Sequence, residues 1–263
     1  MDEKEEQLYE IPAESEETQE GNQSPDPNDG SADQTPKPLE GSSESFQDVE
    51  RIRESTTDGA EAKINIIIGT RGSGKSYLTK KLILEKPRML IYDTQHEYRD
   101  AIGFEHDEYE MMLQYWQKHC EGSFRLAYRP ADAMDLEEFD RIAALVFALG
   151  DMTFVCEEVH TYCQTNRVTP NFKAVLSRGR HKGIEVFCVT QRPFGIDRYV
   201  TSQAKRAHLF ATNEPRDLQY IRDYFGYAVF NMMGRLGTYE HVRWTDGQAQ
   251  IEKAGWTADL RLS

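Results

Sequence analysis

The alternation of apolar and polar positions predicts strands and helices in turn from residue 61 onward. Ile64 to Ile68 is a short β-branched run suited to a buried strand, and Tyr77 to Glu85 reads as the helix after it. Met89 to Asp93 is a second buried strand that ends in a carboxylate. Asp107 to His119 carries Met111, Met112, Tyr115 and Trp116 at near-helical spacing, a stripe that suits a core-facing helix. Phe124 to Tyr128 alternates as a strand and stops before Pro130. Asp135 and Glu138 have capping-box spacing and open a helix over Leu136 to Leu149. Thr153 to Cys156 is an apolar strand that ends in Glu157 and Glu158. Phe172 to Ser177 is helical, Ile184 to Thr190 and Ala207 to Ala211 are strands, and Glu214 to Phe225 is helical. Gly237 to Lys253 reads as a hairpin turning at Asp246-Gly247. Strands alternating with helices in this way predict an α/β, three-layer fold with a mostly parallel central sheet.

One stretch carries chemistry by itself. The first strand ends in Gly69-Thr70-Arg71-Gly72-Ser73-Gly74-Lys75-Ser76, the Gly-x-x-x-x-Gly-Lys-Ser phosphate-binding loop. Its glycines let the backbone wrap a phosphate with N–H groups pointing inward, and the following helix N-terminus adds positive potential. Lys75 is placed to reach the β- and γ-phosphates of ATP, and the Ser76 hydroxyl to ligate Mg²⁺.

The acids after the third apolar strand extend that site. Glu157 is expected to support the metal and Glu158 to polarise the attacking water. Gln191, at the end of the next strand, is placed to sense the γ-phosphate, with Thr190 as the alternative. Arg178 and Arg180 lie before that strand, where a guanidinium given across a subunit boundary would stabilise charge on the transferred phosphate.

Composition changes the picture in one respect. The formal net charge is −14, but residues 1–60 hold 18 acids and 4 bases, so residues 61–263 hold 27 of each and are neutral. The first 60 residues are rich in Glu, Ser, Gln, Pro and Gly and are expected to form a disordered acidic segment and linker ahead of an ATPase domain at 61–263. From Arg167 to Arg206 there are nine Lys or Arg and two acids, a local excess of seven positive charges that suits phosphate backbones. Lys173, Lys182, Arg198, Lys205 and Arg206 are candidate pore-lining cations. The four cysteines show no metal-ligand spacing, and the longest fully apolar run, Ile142 to Leu149, is too short to span a bilayer. Met1 is followed by acids, not by a signal sequence. A soluble protein of a reducing compartment is expected.

Five blocks together resemble the FtsK/HerA superfamily of P-loop ATPases across about residues 61 to 215. They are Gly69 to Ser76, Tyr92 to Tyr98, Phe154 to His160, Ser177 to Ile184 and Val189 to Pro193. Glu157 stands where that family more often has Asp. The resemblance implies a RecA-like fold and a hexameric ring with ATP sites between subunits, threading double-stranded DNA. It places the arginine finger at Arg180, three residues before Gly183. The compact chain is similar to genome-packaging ATPases of viruses with an internal membrane, and also to filamentous-phage Zot-like assembly ATPases. That branch implies capsid or portal-vertex partners and a place in the host cytoplasm or the virion. The alternatives are a HerA-like cellular helicase, a small-molecule kinase, and a nucleotide-organised scaffold.

Overall fold

The computed structural model describes residues 63–254; the expected acidic segment at 1–60 lies outside them. A nine-stranded sheet has the order β3-β4-β2-β5-β6-β1-β7-β8-β9. The strands are β1 (Ile64–Ile68), β2 (Arg88–Tyr92), β3 (Ile102–Glu105), β4 (Phe124–Arg129), β5 (Met152–Cys156), β6 (Ile184–Thr190), β7 (Arg206–Phe210), β8 (Glu240–Thr245) and β9 (Gln248–Lys253). Every pairing from β3 to β7 is parallel, and β8 and β9 add antiparallel to the far side of β7.

Central parallel strands are covered on both faces, so their sequences run continuously apolar. Ile66 and Ile68 of β1 join one core with Leu90, Phe154, Val186 and Cys188, whereas Ile67 joins the other with Ile91, Val155, Phe187 and Val189. The first core is covered by α2 (Tyr109–His119), α3 (Leu136–Leu149) and α4 (Pro170–Arg178), through Met112, Phe139 and Phe172 among others. The second is covered by α1 (Lys75–Ile83), through Leu78 and Ile83, and by Tyr98 and Ala101. Helix, sheet and helix form the three layers that the alternation of elements predicts.

Phe139 is the hub of the first core. Its ring lies 4.0 Å from that of Tyr162, 5.0 Å from Phe172 and 5.1 Å from Tyr92. Tyr162 in turn donates its hydroxyl to the Glu157 carbonyl at 2.8 Å. The aromatic packing therefore fixes the backbone at the end of β5, where the acids stand.

Several elements differ from the sequence reading. The first helix starts at Lys75, two residues early, because the loop itself closes its first turn. β3, α5 (Arg198–Ser202) and α7 (Tyr227–Met233), which follows α6 (Pro215–Phe225), are additional. Asp135 caps α3 by accepting from the Glu137 and Glu138 amides, but Glu138 does not reach back to complete a box. Its carboxylate instead accepts from the Tyr128 hydroxyl at 2.6 Å. The hairpin at Asp246-Gly247 stands as expected. No helix among the described residues is long and apolar enough to cross a membrane, and Cys120, Cys156, Cys163 and Cys188 are free thiols.

Candidate functional site

Because β1, β2, β5 and β6 are parallel neighbours, their carboxyl ends meet at one edge of the sheet. The phosphate loop leaves β1, Asp93 follows β2, Glu157 and Glu158 follow β5, and Gln191 follows β6. They surround a cleft of about 530 Å³ lined by Gly72, Gly74, Lys75, Ser76, Glu157, Glu158 and Gln191, among others. This is the position at which open α/β sheets bind ligands.

The loop has the geometry of a phosphate cradle. Gly72 and Gly74 have φ of 76° and 106°, which L side chains rarely adopt. Gly69 is excluded from substitution for another reason: an added Cβ would lie 2.5 Å from Phe210 Cβ and 2.7 Å from Ser73 Oγ. The Gly69 amide donates to the Thr190 carbonyl at 3.2 Å, joining the loop to β6. Among the described residues Ser73 Oγ is buried with no hydrogen-bond partner, and Lys75 Nζ donates back to its own loop at the Thr70 carbonyl, 3.1 Å away. Thr70 Oγ1 donates to the Ala211 carbonyl at 3.3 Å, and Arg71 lies exposed at the cleft. Burial lowers the Lys75 pKa, and the nearby charges of Glu158, Glu157 and Glu97 pull it back up. An unpartnered hydroxyl and a buried ammonium at a helix N-terminus fit a polyphosphate.

Two adjacent acids are held in opposite states. Glu157 is 2 % exposed and accepts a short hydrogen bond from the Tyr98 hydroxyl. Burial pushes its pKa up to about 8, helped by Glu97, Glu158 and Asp93 and resisted by the Tyr98 bond. Burial also raises Glu158, but hydrogen bonds from His160 and Gln191 and the charges of His160 and Lys75 outweigh it, and its pKa falls below the usual carboxylate value. The backbone separates them, because Glu158 has a φ of 48° and turns away from the strand direction. Such divergence of neighbouring acids is how one site holds both a neutral carboxyl and a carboxylate.

Glu158 sits in a small hydrogen-bonded group. The Gln191 side-chain amide donates to its Oε1 in a short bond, and the Gln191 backbone amide donates to Oε2 at 3.3 Å. His160 Nδ1 lies 3.2 Å from Oε2 and 3.1 Å from Thr190 Oγ1. Gln191 and Thr190 thus divide what the sequence offered as alternatives: Gln191 holds the acid, and Thr190 holds the imidazole beside it.

Three residues of the site were missed as functional groups in the sequence. Tyr98 is swung onto Glu157 by Asp93, whose carboxylate accepts from the Glu97 and Tyr98 amides at 2.9 and 3.3 Å. His160 approaches Glu158 because residues 158 to 163 form a turn, with Thr161 N donating to Glu158 O. Tyr239, at the start of the hairpin and with a φ of 60°, lines the cleft beside Gly74. Only the block from Tyr92 to Tyr98 and the one through His160 gave any local signal.

A Mg²⁺ ion is also implied by the phosphate loop. The donor set fits one: Ser76 lines the cleft, and the buried Glu157 carboxyl, crowded by Glu97, Glu158 and Asp93, is an oxygen donor that a divalent cation would hold ionised.

Arg180 is elsewhere. It lies in the turn Gly179–Lys182 before β6, whereas Gln191 follows β6. The seven residues of β6 put roughly 20 Å between those ends. Arg180 is exposed, and its Nε donates to His181 Nε2 at 3.3 Å. Arg178 instead stacks over Phe147, with its guanidinium carbon 5.0 Å from the ring centre. Neither arginine reaches its own chain's cleft.

No family model matches the chain. It is similar to protein P9 of Pseudoalteromonas phage PM2, 25% identical over 146 residues, 53% of this chain and 64% of that protein. It is also similar to the DNA packaging ATPase P9 of Enterobacteria phage PRD1, 29% identical over 97 residues, 37% of this chain and 41% of that protein. The matched segments thus span less than two thirds of both relatives. Among solved structures, the genome packaging NTPase B204 from Sulfolobus turreted icosahedral virus 2 in complex with AMPPCP superposes with a TM-score of 0.60 at 21% identity, covering 74% of this chain and 98% of B204. At that identity the likeness shows the fold alone.

Proposed function

We propose that this chain is an ATP-hydrolysing motor that moves double-stranded DNA into a viral capsid. The observation that carries the reading is the convergence of Lys75, Glu157, Glu158 and Gln191 on the cleft of the phosphate loop, in a chain similar to a DNA packaging ATPase. In this reading the loop amides and Lys75 hold the polyphosphate. Ser76 and Glu157 hold Mg²⁺, which when bound supplies charge neutralisation at the phosphates.

Glu158 is the acid that stays ionised, so it is the one able to accept a proton from an attacking water. Gln191 orients it, and a γ-phosphate arriving at the loop would compete for the Gln191 amide and free the carboxylate. Arg180 is too far from its own cleft and would act on that of a neighbouring subunit, in a homo-oligomeric ring. Stabilisation of developing phosphate charge by such an arginine is worth 10³-fold or more in other P-loop enzymes. The basic run from Arg167 to Arg206 supports DNA as the polymer moved. A capsid-vertex partner follows from the same reading.

The test is steady-state ATP hydrolysis by the full chain with and without double-stranded DNA, beside Lys75→Ala. Turnover stimulated by DNA and absent in Lys75→Ala is expected. Turnover indifferent to DNA but transferred to a phosphate acceptor would replace the motor with a kinase.

A further inference from the structure

The sheet extension has a second cleft that the phosphate-loop site does not use. In an antiparallel pair, directly opposed residues share a face. His208 of β7 opposes Arg243 of β8, and His241 of β8 opposes both Phe210 of β7 and Glu252 of β9. With Arg206, two positions before His208, these side chains form one polar row on the face beside α1. The row and the helix residues Leu78, Lys81 and Leu82 enclose a cleft of about 250 Å³ that shares no lining residue with the nucleotide cleft.

Its charge is one-sided. Lys81, Arg206 and Arg243 line it against the acid Glu252, a net of two positive charges with the histidines neutral. Glu252 is already paired with Arg243 at 3.0 Å, and Lys81 donates to the Ala254 carbonyl at 3.4 Å.

Two buried imidazoles sit at its floor with their rings 5.1 Å apart. His208 is 4 % exposed and His241 1 %. Among the described residues, Nδ1 of His208 and both ring nitrogens of His241 are buried without a hydrogen-bond partner. The Glu252 carboxylate stands 3.8 Å from His241 Nε2, beyond hydrogen-bonding distance. Buried polar atoms are seldom left unpaired, and each destabilises the fold unless a ligand or water satisfies it. An apolar ligand would leave these atoms unpaired, and a cationic one would meet the excess of positive charge. A multiply charged oxyanion would accept from the imidazole N–H groups and be held by two guanidinium forks and an ammonium.

We propose that this cleft is a second phosphate-binding site, separate from the phosphate loop. The space is several times the roughly 30 Å³ that a water occupies, so a phosphate group with some of its hydration fits. The group could belong to a nucleic-acid backbone or to a free phosphorylated molecule, and recognition by these side chains is the same for both. The site lies about 9 Å along α1 from Lys75. It does not depend on the motor reading.

The experiment follows the imidazole resonances of His208 and His241 in the full chain, assigned with His208→Gln and His241→Gln. Sodium phosphate is titrated at constant ionic strength made up with chloride, and a short DNA duplex is titrated separately. A saturable shift of both imidazoles is expected, unaltered in Lys75→Ala and weakened at least tenfold in Arg206→Ala/Arg243→Ala. Arg206→Lys/Arg243→Lys, which keeps the charge, should restore part of it. Response to inorganic phosphate identifies a free phosphate-type ligand, and response to the duplex alone identifies a backbone phosphate. If neither probe shifts the two imidazoles, or the Arg206→Ala/Arg243→Ala protein responds as the parent does, there is no phosphate site here.

Discussion

The two ends of β6 teach different lessons. At its carboxyl end Gln191 is part of a crowded group with buried acids, an imidazole and a lysine, each held by a partner within the same chain. At its amino end, about 20 Å away, Arg180 is exposed and its Nε donates to its neighbour His181. One strand thus carries a group held within the chain at one end and an exposed guanidinium at the other. In the proposed reading that guanidinium serves the cleft of a neighbouring copy.

That contrast can be broken in four ways. We predict the largest effect for Arg180→Ala, a loss of turnover on the order of 10³-fold with nucleotide affinity nearly kept. Mixing it with Lys75→Ala subunits should restore part of the activity, and mixtures no more active than their parts would place Arg180 outside the reaction. Glu158→Gln should bind ATP and lose turnover by about 10²–10³-fold, read by single-turnover kinetics. Full turnover in that variant would remove Glu158 as the base.

The third prediction concerns Glu157 in the nucleotide-free protein. Its pKa is raised from 4.5 to about 8 by burial. A raised carboxyl binds its proton more tightly in the folded state, so its contribution to stability is present below pH 4.5 and lost as the pH rises through 8. Thermal unfolding should therefore show a transition temperature that falls from about pH 4.5 to about pH 8 and levels off above that. Glu157→Gln, which can still accept from Tyr98, should flatten that fall by a few kcal/mol at pH 8. An unchanged slope would mean that Glu157 does not carry the pH dependence. The smallest effect is expected for Arg178→Ala. It should cost about 1 kcal/mol of stability through lost stacking on Phe147, measured by denaturant unfolding, with turnover changed less than threefold.

What the sequence made legible was local. The loop from Gly69 to Ser76, the acids after β5 and Gln191 after β6 are set by short-range geometry, and the parallel order brought them to one edge. β3 escaped because Gly103 interrupts a four-residue run in which Ile102 and Glu105 face solvent. α7 escaped because it follows α6 after a single break at Gly226, whose φ is 90°. Tyr98 and His160 lay within recognisable blocks, but their contacts with Glu157 and Glu158 depend on turns that spacing does not encode. Tyr239 comes from the far end of the chain, and no window of sequence around the loop could have contained it. Arg178 and Arg180 were both legible as candidates from their place before β6, and only the family resemblance favoured Arg180.

The position of Phe210 and Tyr239 against the phosphate loop has a consequence for how the protein is made. Gly69 and Gly74 lean on Phe210, and Tyr239 stands against Gly74, so residues 69 to 74 meet partners that leave the ribosome more than 130 residues later. Until then the loop has no wall on that side, and β7, once made, is an open strand edge until β8 pairs with it. Long-range closure of this kind is slow. A nascent chain that has just emerged to residue 210 carries every residue of the ATPase signature and still has an incomplete nucleotide cleft, which leaves it in need of protection from pairing with other unfinished chains.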